Sequence, residues 1–422
     1  MTDAANPAPS TTAPLRPLAL VLLAAAGTFA LTMGARQSMG LFVSALNTHT
    51  GVGLAAVSLA FAFGQLWWGL TQPLAGIVAD RVGPGRVLVV GVLLVALGTW
   101  LIPRMQSTVG LVLAIGVLAA GGAGMAGPAV LMAAVTRLVE PARRGFATGV
   151  VNAGGSLGQF IFAPLAQAIT TASGWVAAVQ ALAFITLLAL PAAWVLRGTP
   201  VMAAPVAGAA PREGTRAAIS RAWHDRNYRL LSAGFFVCGF HVAFLATHLP
   251  GVVASCGLAP EVGAWSLALL GLFNVVGSLG IGWALGYQGG RWRMKSMLSL
   301  IYATRALAVL LFVLAPKSTA VVLVFAAVMG LTFLSTVPPT AGLVARFFGP
   351  AHMATLFGLV MLSHQIGGFL GAWLGGQVFE ATGGYDVVWF IDIALAVGAA
   401  LIHLPIAEVR PVPGAQAAAA AR

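Results

Sequence analysis

The chain has 422 residues, 59% of them hydrophobic and only 8% charged, with a formal net charge of +12. So few charges exclude a soluble globular surface and leave no room for a large soluble domain. In a soluble protein the basic balance would raise nucleic-acid binding, but here the bases sit in short loops between apolar runs, which is a topology signal and excludes a nucleic-acid partner.

Residues 1–16 are rich in Ala, Pro, Ser and Thr and lack the basic start of a cleavable leader, so they read as a disordered cytoplasmic tail. Apolar runs of about 18 residues or more with few charges read as transmembrane helices. Six follow in the first half, near 17–46, 53–79, 86–103, 109–136, 146–169 and 174–196, together forming an N-terminal bundle over 17–196. The first run carries Arg36 and Gln37 at depth, and the second closes on GIVADRVGPGR, Gly76 to Arg86. Residues 197–228 are polar, basic and Pro/Ala-rich, and read as a cytoplasmic linker with room for a short amphipathic helix at its end. Six more runs lie near 229–254, 262–285, 296–315, 318–342, 353–378 and 387–406, forming a C-terminal bundle over 229–407 before a second tail over 408–422.

Orientation follows from the bases. With both termini cytoplasmic, 18 of the 22 lysines and arginines fall inside, Arg104 and Lys317 fall outside, and Arg36 and Arg305 lie within spans. That split satisfies the positive-inside rule, and one missed helix would scramble it. The halves are parallel copies. VTRLVEPARRGFATGVVNAGGSLGQF matches VARFFGPAHMATLFGLVMLSHQIGGF, each residue pairing with one 209 positions later, as Arg137 with Arg346 and Gly158 with Gly367. Parallel six-helix halves with a site between them describe a major class of secondary transporter.

The loop after the second run sharpens this. Gly76, Asp80, Arg81, Gly83 and Arg86 resemble the signature between helices 2 and 3 of the major facilitator superfamily. The resemblance implies an all-α membrane fold of twelve helices and a gating role for the loop, whose Asp and Arg brace neighbouring helix ends. The second copy after helix 8 keeps Gly282 and Gly289 but has Gly286 and Tyr287 in place of the charged pair. GARQSMGLFVSAL, GLFNVVGSLGIG and the polar break in helix 11 also resemble the oxalate:formate antiporter and monocarboxylate transporter branch. Members of that branch tend to carry a carboxylate-binding arginine in helix 8, where this sequence has Asn274 and Ser278. The family architecture implies that helices 1, 4, 7 and 10 line a central cavity, that 2, 5, 8 and 11 flank it, and that 3, 6, 9 and 12 are scaffold.

The polar groups at depth are then candidates. Arg36 on helix 1 offers a donor fork suited to carboxylate; the competing reading is an arginine snorkelling outward. His241 and His248, one heptad apart on helix 7, read as a cavity-facing stripe or as packing histidines. Zinc is not expected, because helical ligand pairs prefer one-turn spacing and no Cys or acidic partner is visible. Arg305 on helix 9 and Asp392 on helix 12 read as a structural ion pair. His364 and Gln365 head a glycine face, Gly367, Gly368, Gly371 and Gly375, where helix 11 either packs closely or lines the path. Pro338 and Pro339 free backbone groups in helix 10.

The substrate-binding candidates are therefore Arg36, Gln37, His241, Asn274, His364 and Gln365. The embedded acid lies on scaffold while bases lie on cavity helices, so the reading is a secondary active carrier of a small organic anion, a carboxylate, by alternating access. The alternatives are a proton-coupled exporter of neutral or lipophilic compounds and, more remotely, a membrane-embedded enzyme or sensor. The expected setting is the lipid bilayer of a bacterial inner membrane. The protein is expected to work as a monomer, with no cofactor and no catalytic residue; a proton or counter-substrate is the expected coupling partner.

Overall fold

The structure, a computed structural model, describes residues 17–139, 144–197, 215–286, 292–349 and 353–408. The expected tail over 1–16, the expected tail over 408–422 apart from Glu408, the linker core over 198–214, and Tyr287 and Gly289 of the second loop copy lie outside the described residues.

The described residues form helices joined by short turns. Eleven stretches are long and apolar enough to cross a membrane: α1 (Leu18–Thr50), α2 (Leu54–Val82), α3 (Pro84–Arg104), α4 (Thr108–Val135), α6 (Trp175–Val195), α7 (Arg226–Ser255), α8 (Pro260–Leu285), α9 (Met294–Leu314), α10 (Thr319–Phe348), α11 (Thr355–Thr382) and α12 (Asp386–His403). The remaining expected span is α5 (Arg144–Ser173), which has the length at 30 residues but carries Asn152, Gln159 and Gln167 along it. A short linker helix, Thr215–His224, precedes α7.

Prolines and glycines set the irregularities. Pro338 and Pro339 have no N–H and their rings clash with carbonyls one turn back, so α10 stops at Thr332 and restarts at Val337. The repeat partner, α4, breaks at Ala126–Gly127 before Pro128. These positions lie 209 residues before Ser335–Thr336, so both copies break at the same place. Between α2 and α3, Gly83 holds φ +90, a conformation that favours glycine.

Helices α1–α6 enclose two apolar cores, around Val21, Leu88 and Val130 and around Phe42, Leu111 and Leu182. A larger core around Phe235, Phe244, Tyr302 and Trp389 joins α7–α12. The halves meet where α2 lies against α11 and α5 against α8. Small residues permit this: Gly376 seats on Ser58, Gly271 on Ser156 and Gln159, and Gly40 on the Ala246 carbonyl. The contacts described between the halves run from mid-depth to the end away from the linker. Nearer the linker, Gly76, Gly149, Gly282 and Gly358 face open space.

Candidate functional site

Arg36 lies two residues before a 3-10 segment of α1, Ser38–Phe42, whose Gly40 packs on the Ala246 carbonyl of α7. Its guanidinium sits 4.9 Å from the centre of the Trp68 ring. Among the described residues it has neither an acidic partner nor a hydrogen bond. With Gln37, Gln65 and Thr247 it lines a small cavity of about 40 Å³, otherwise walled by Met39, Phe61, Ile102 and Ile115. That space holds on the order of a few waters. Gln37 Nε2 donates to Gln159 Oε1 of α5 at 3.4 Å.

Asn274 is buried and makes three of the four hydrogen bonds open to its amide. Its Nδ2 donates to Ser156 Oγ across the seam at 2.8 Å, and its Oδ1 accepts from Leu334 N–H at 3.0 Å and from Ser278 Oγ at 3.3 Å. It therefore ties the other half of the molecule to the break in α10. The three bonds found at this expected substrate contact are structural, and one amide proton remains.

The far side of the same break is held by Arg305. Its Nη2 donates to the Thr332 and Phe333 carbonyls, at 2.7 Å for the latter. These are the acceptors orphaned where the first part of α10 ends. Cys238 of α7 contributes its thiol to Thr336 Oγ1 at 3.1 Å. Irregular backbone at membrane depth is tolerated where protein satisfies it, and three helices do so here.

The expected direct pair of Arg305 and Asp392 is replaced by a chain through His241. Arg305 Nη1 approaches His241 Nδ1 at 3.4 Å. A guanidinium can only donate, so Nδ1 must accept and the ring proton sits on Nε2. Nε2 donates to the Asp392 backbone oxygen at 3.2 Å, with Asp392 Oδ1 3.0 Å away but out of hydrogen-bonding alignment. His241 thus faces α9 and α12, not the cavity, because the buried Arg305 and Asp392 lie on that side. His248 Nε2 donates to the Ala372 backbone oxygen of α11 at 2.7 Å.

The glycine face of α11 seats α7. Gly367 packs on the Phe236 carbonyl, Gly371 on the Phe240 carbonyl and Gly375 on the His248 ring. His364, at its head, is buried 5.0 Å from the Phe235 ring and beside the Cys238 thiol, with no hydrogen bond at either ring nitrogen. It is not among the residues lining the Arg36 cavity. Gln365 points the other way, against Gly69 of α2, and both its amide atoms lack partners. Cys256, just beyond α7, has a thiol that burial raises above its ordinary value, which makes it a weak nucleophile.

Comparison with known proteins decides the family. The profile described as Major Facilitator Superfamily matches residues 24–291. The chain belongs to that superfamily. It is 26% identical to monocarboxylate transporter 13 of Rattus norvegicus over 92% of this chain and 88% of the relative. It is 32% identical to the oxalate:formate antiporter of Oxalobacter formigenes over 33% of each. Its fold matches a bacterial homologue of the human lysosomal transporter Spinster, with TM-score 0.71, 14% identity and coverage of 92% of this chain and 94% of that one. The nucleoside transporter NupG matches with TM-score 0.75, 14% identity and coverage of 93% and 100%. This major facilitator protein is therefore a multi-pass membrane transporter of small molecules and not an enzyme.

The facilitator's loop signature sits at the end of α2. Asp80, Arg81 and Arg86 are exposed, Gly83 makes the turn, and Gly85 lets α3 approach the Ala193 carbonyl of α6. In the second half, where the charged pair is missing from the sequence, Glu408 supplies a brace. Its carboxylate accepts from Met294 N–H and Lys295 N–H, both at 3.2 Å, capping α9, and from Arg346 Nη1 at 2.7 Å. Residue 408 is thus anchored, although the sequence placed it at the start of a tail. Glu408→Ala is expected to lower thermal stability by about 1.5–3 kcal/mol, because its side chain is only 2% exposed and its acceptors serve charged and helix-terminal donors. A thermal melt of the purified variant within error of wild type would dismiss the brace.

Sequence reasoning missed Trp68, Ser156 and Glu408. The repeat held a signal for the first two: Ser156 is the copy of Gln365, and Trp68 stands 206 positions before Asn274, the spacing that relates Gly76 to Gly282.

Proposed function

We propose that the protein is a secondary active carrier of small organic anions, with Arg36 as the anchor for a carboxylate. The observation that carries this is the guanidinium of Arg36, unpaired among the described residues, at a mostly apolar cavity within the span. A charge there is costly, and a paired one would be protein structure, as Arg305 is; an unpaired one is reserved for a ligand. The carboxylate named in the relatives' descriptions supports the same class. The fork of Arg36 fits a carboxylate in two-pronged fashion, with Gln37 and Gln65 as neighbouring amides. The apolar walls suit a compact carbon skeleton.

Both termini and the 197–228 linker are read as cytoplasmic from the distribution of bases. The halves then meet on the outer side, and the structure corresponds to an inward-facing state of an alternating-access cycle. Cysteines placed within 198–214, with Cys238 and Cys256 replaced, are expected to resist an impermeant maleimide in intact cells; ready labelling would reverse the orientation. Uptake of radiolabelled formate, lactate and oxalate into proteoliposomes, with and without a proton gradient, tests the carrier reading. Accumulation of none of them, beside transport of a lipophilic neutral compound, would favour the exporter alternative.

A further inference from the structure

The two seams between the halves are copies of each other, and at one matched pair of positions only one copy is hydrogen-bonded. On the α5–α8 seam, Ser156 and Asn274 share a hydrogen bond of 2.8 Å. Their repeat partners are Gln365 and Trp68 on the α11–α2 seam. The register is supported by packing: Trp67 covers Gly121 as Phe273 covers Gly330, and Gln65 reaches Gly368 as Gln159 reaches Gly271. Yet Trp68 Nε1 and both amide atoms of Gln365 are buried without hydrogen bonds. Gln365 is 1% exposed and lies against Gly69, the neighbour of Trp68. Arg36, itself unpaired among the described residues, lies over the Trp68 ring.

Three unpaired polar atoms on one seam are costly, at about 1–3 kcal/mol each; like His364, neither Trp68 nor Gln365 lines the Arg36 cavity, and their link to Arg36 runs through the Trp68 ring under its guanidinium. Their chemistry can be balanced. Trp68 Nε1–H is a donor only; Gln365 Oε1 accepts, and Gln365 Nε2 has two protons to give. An anion beside Arg36 supplies the acceptor that protein does not.

We propose that Trp68 and Gln365 complete the Arg36 site: Trp68 Nε1–H donates to Gln365 Oε1 across the seam, and Gln365 Nε2–H donates to the carboxylate held by Arg36. The proposal rests on the carboxylate reading above. It gives the site one residue group from each half, so a bound anion joins α1 and α2 to α11. Gln365 is then a substrate contact and Trp68 a positioning residue acting through it.

The test is equilibrium binding of radiolabelled formate, lactate and oxalate to purified protein, comparing wild type with Trp68→Phe, Gln365→Met, the double variant and Arg36→Gln. Phe keeps the ring under Arg36, and Met keeps the length of Gln365, so packing is preserved. Gln365→Met is expected to bind about tenfold more weakly, the loss of one hydrogen bond to a charged acceptor, and Trp68→Phe several-fold more weakly, because the amide it orients is left free to turn. The double variant is expected to bind no more weakly than Gln365→Met alone, because Trp68 acts through Gln365. Wild-type affinity in both single variants, with binding lost in Arg36→Gln, overturns this proposal alone. Losses that add in the double variant overturn the relay. Absence of binding by wild type to all three probes overturns both this proposal and the carboxylate reading.

Discussion

Arg36→Gln is expected to weaken carboxylate binding by about a hundredfold or more while leaving the folded yield intact. The loss is the removal of a charge-assisted, two-pronged contact, each prong being worth about 1.5–3 kcal/mol. The intact yield follows from the structure, where among the described residues Arg36 makes no ion pair or hydrogen bond and only rests on the Trp68 ring. That contact is worth about 0.5–2 kcal/mol, and a neutral residue at membrane depth offsets part of it. Arg36→Lys keeps the charge but not the fork, so its loss is expected to be smaller, about tenfold. Uptake into proteoliposomes together with size-exclusion profiles separates the two effects. Unchanged carboxylate binding by well-folded Arg36→Gln protein would remove the anchor and the main argument for an anionic substrate.

Arg305→Ala is expected to behave in the opposite way, with a large loss of stability and little specific effect on affinity in the protein that survives. Arg305 is 1% exposed and binds the Thr332 and Phe333 carbonyls, His241 Nδ1 and the Cys238 thiol. Removing it orphans two carbonyls at the α10 break and leaves Asp392 without its nearby positive charge. Breaking a buried charged network in this way costs about 3–5 kcal/mol, which corresponds to a fall in Tm of roughly 10 °C. Adding Asp392→Ala to Arg305→Ala is expected to recover only part of that fall. The acid is reached through His241, and the α10 carbonyls stay unpaired whatever stands at 392. Full recovery in the double variant would mean that the charge pair dominates and the cap is incidental. Normal stability with lost binding in Arg305→Ala would make Arg305 a substrate ligand instead.

The two arginines look alike in the sequence: each is a lone base within an apolar run. Depth and composition mark both as costly and in need of a partner, but they do not say whether that partner is protein or ligand. The same holds for the histidines. His241 was legible as a polar group at mid-depth of helix 7, but its side of the helix was not, because α7 is apolar nearly all round and buried on most faces. One residue of rotation turns a side chain by about 100°, enough to exchange the cavity for the bundle core.

What the sequence by itself determined is everything the bilayer reads locally. Spans, the expected side of each loop, the parallel repeat and the loop signature follow from runs of hydropathy, loop bases and short spacings, and backbone pairing within each helix needs no distant residue. The Pro338–Pro339 break in α10 belongs here too, because a missing N–H acts on its own turn. Only the tertiary structure decided who satisfies the exposed groups. Arg305 meets His241 from 64 residues away, His241 meets Asp392 from 151, and Asn274 meets Ser156 from 118. Those pairings depend on helix rotation and on glycines that set how closely α7 meets α11 and α2 meets α11. A sequence that is apolar on every face leaves both to packing.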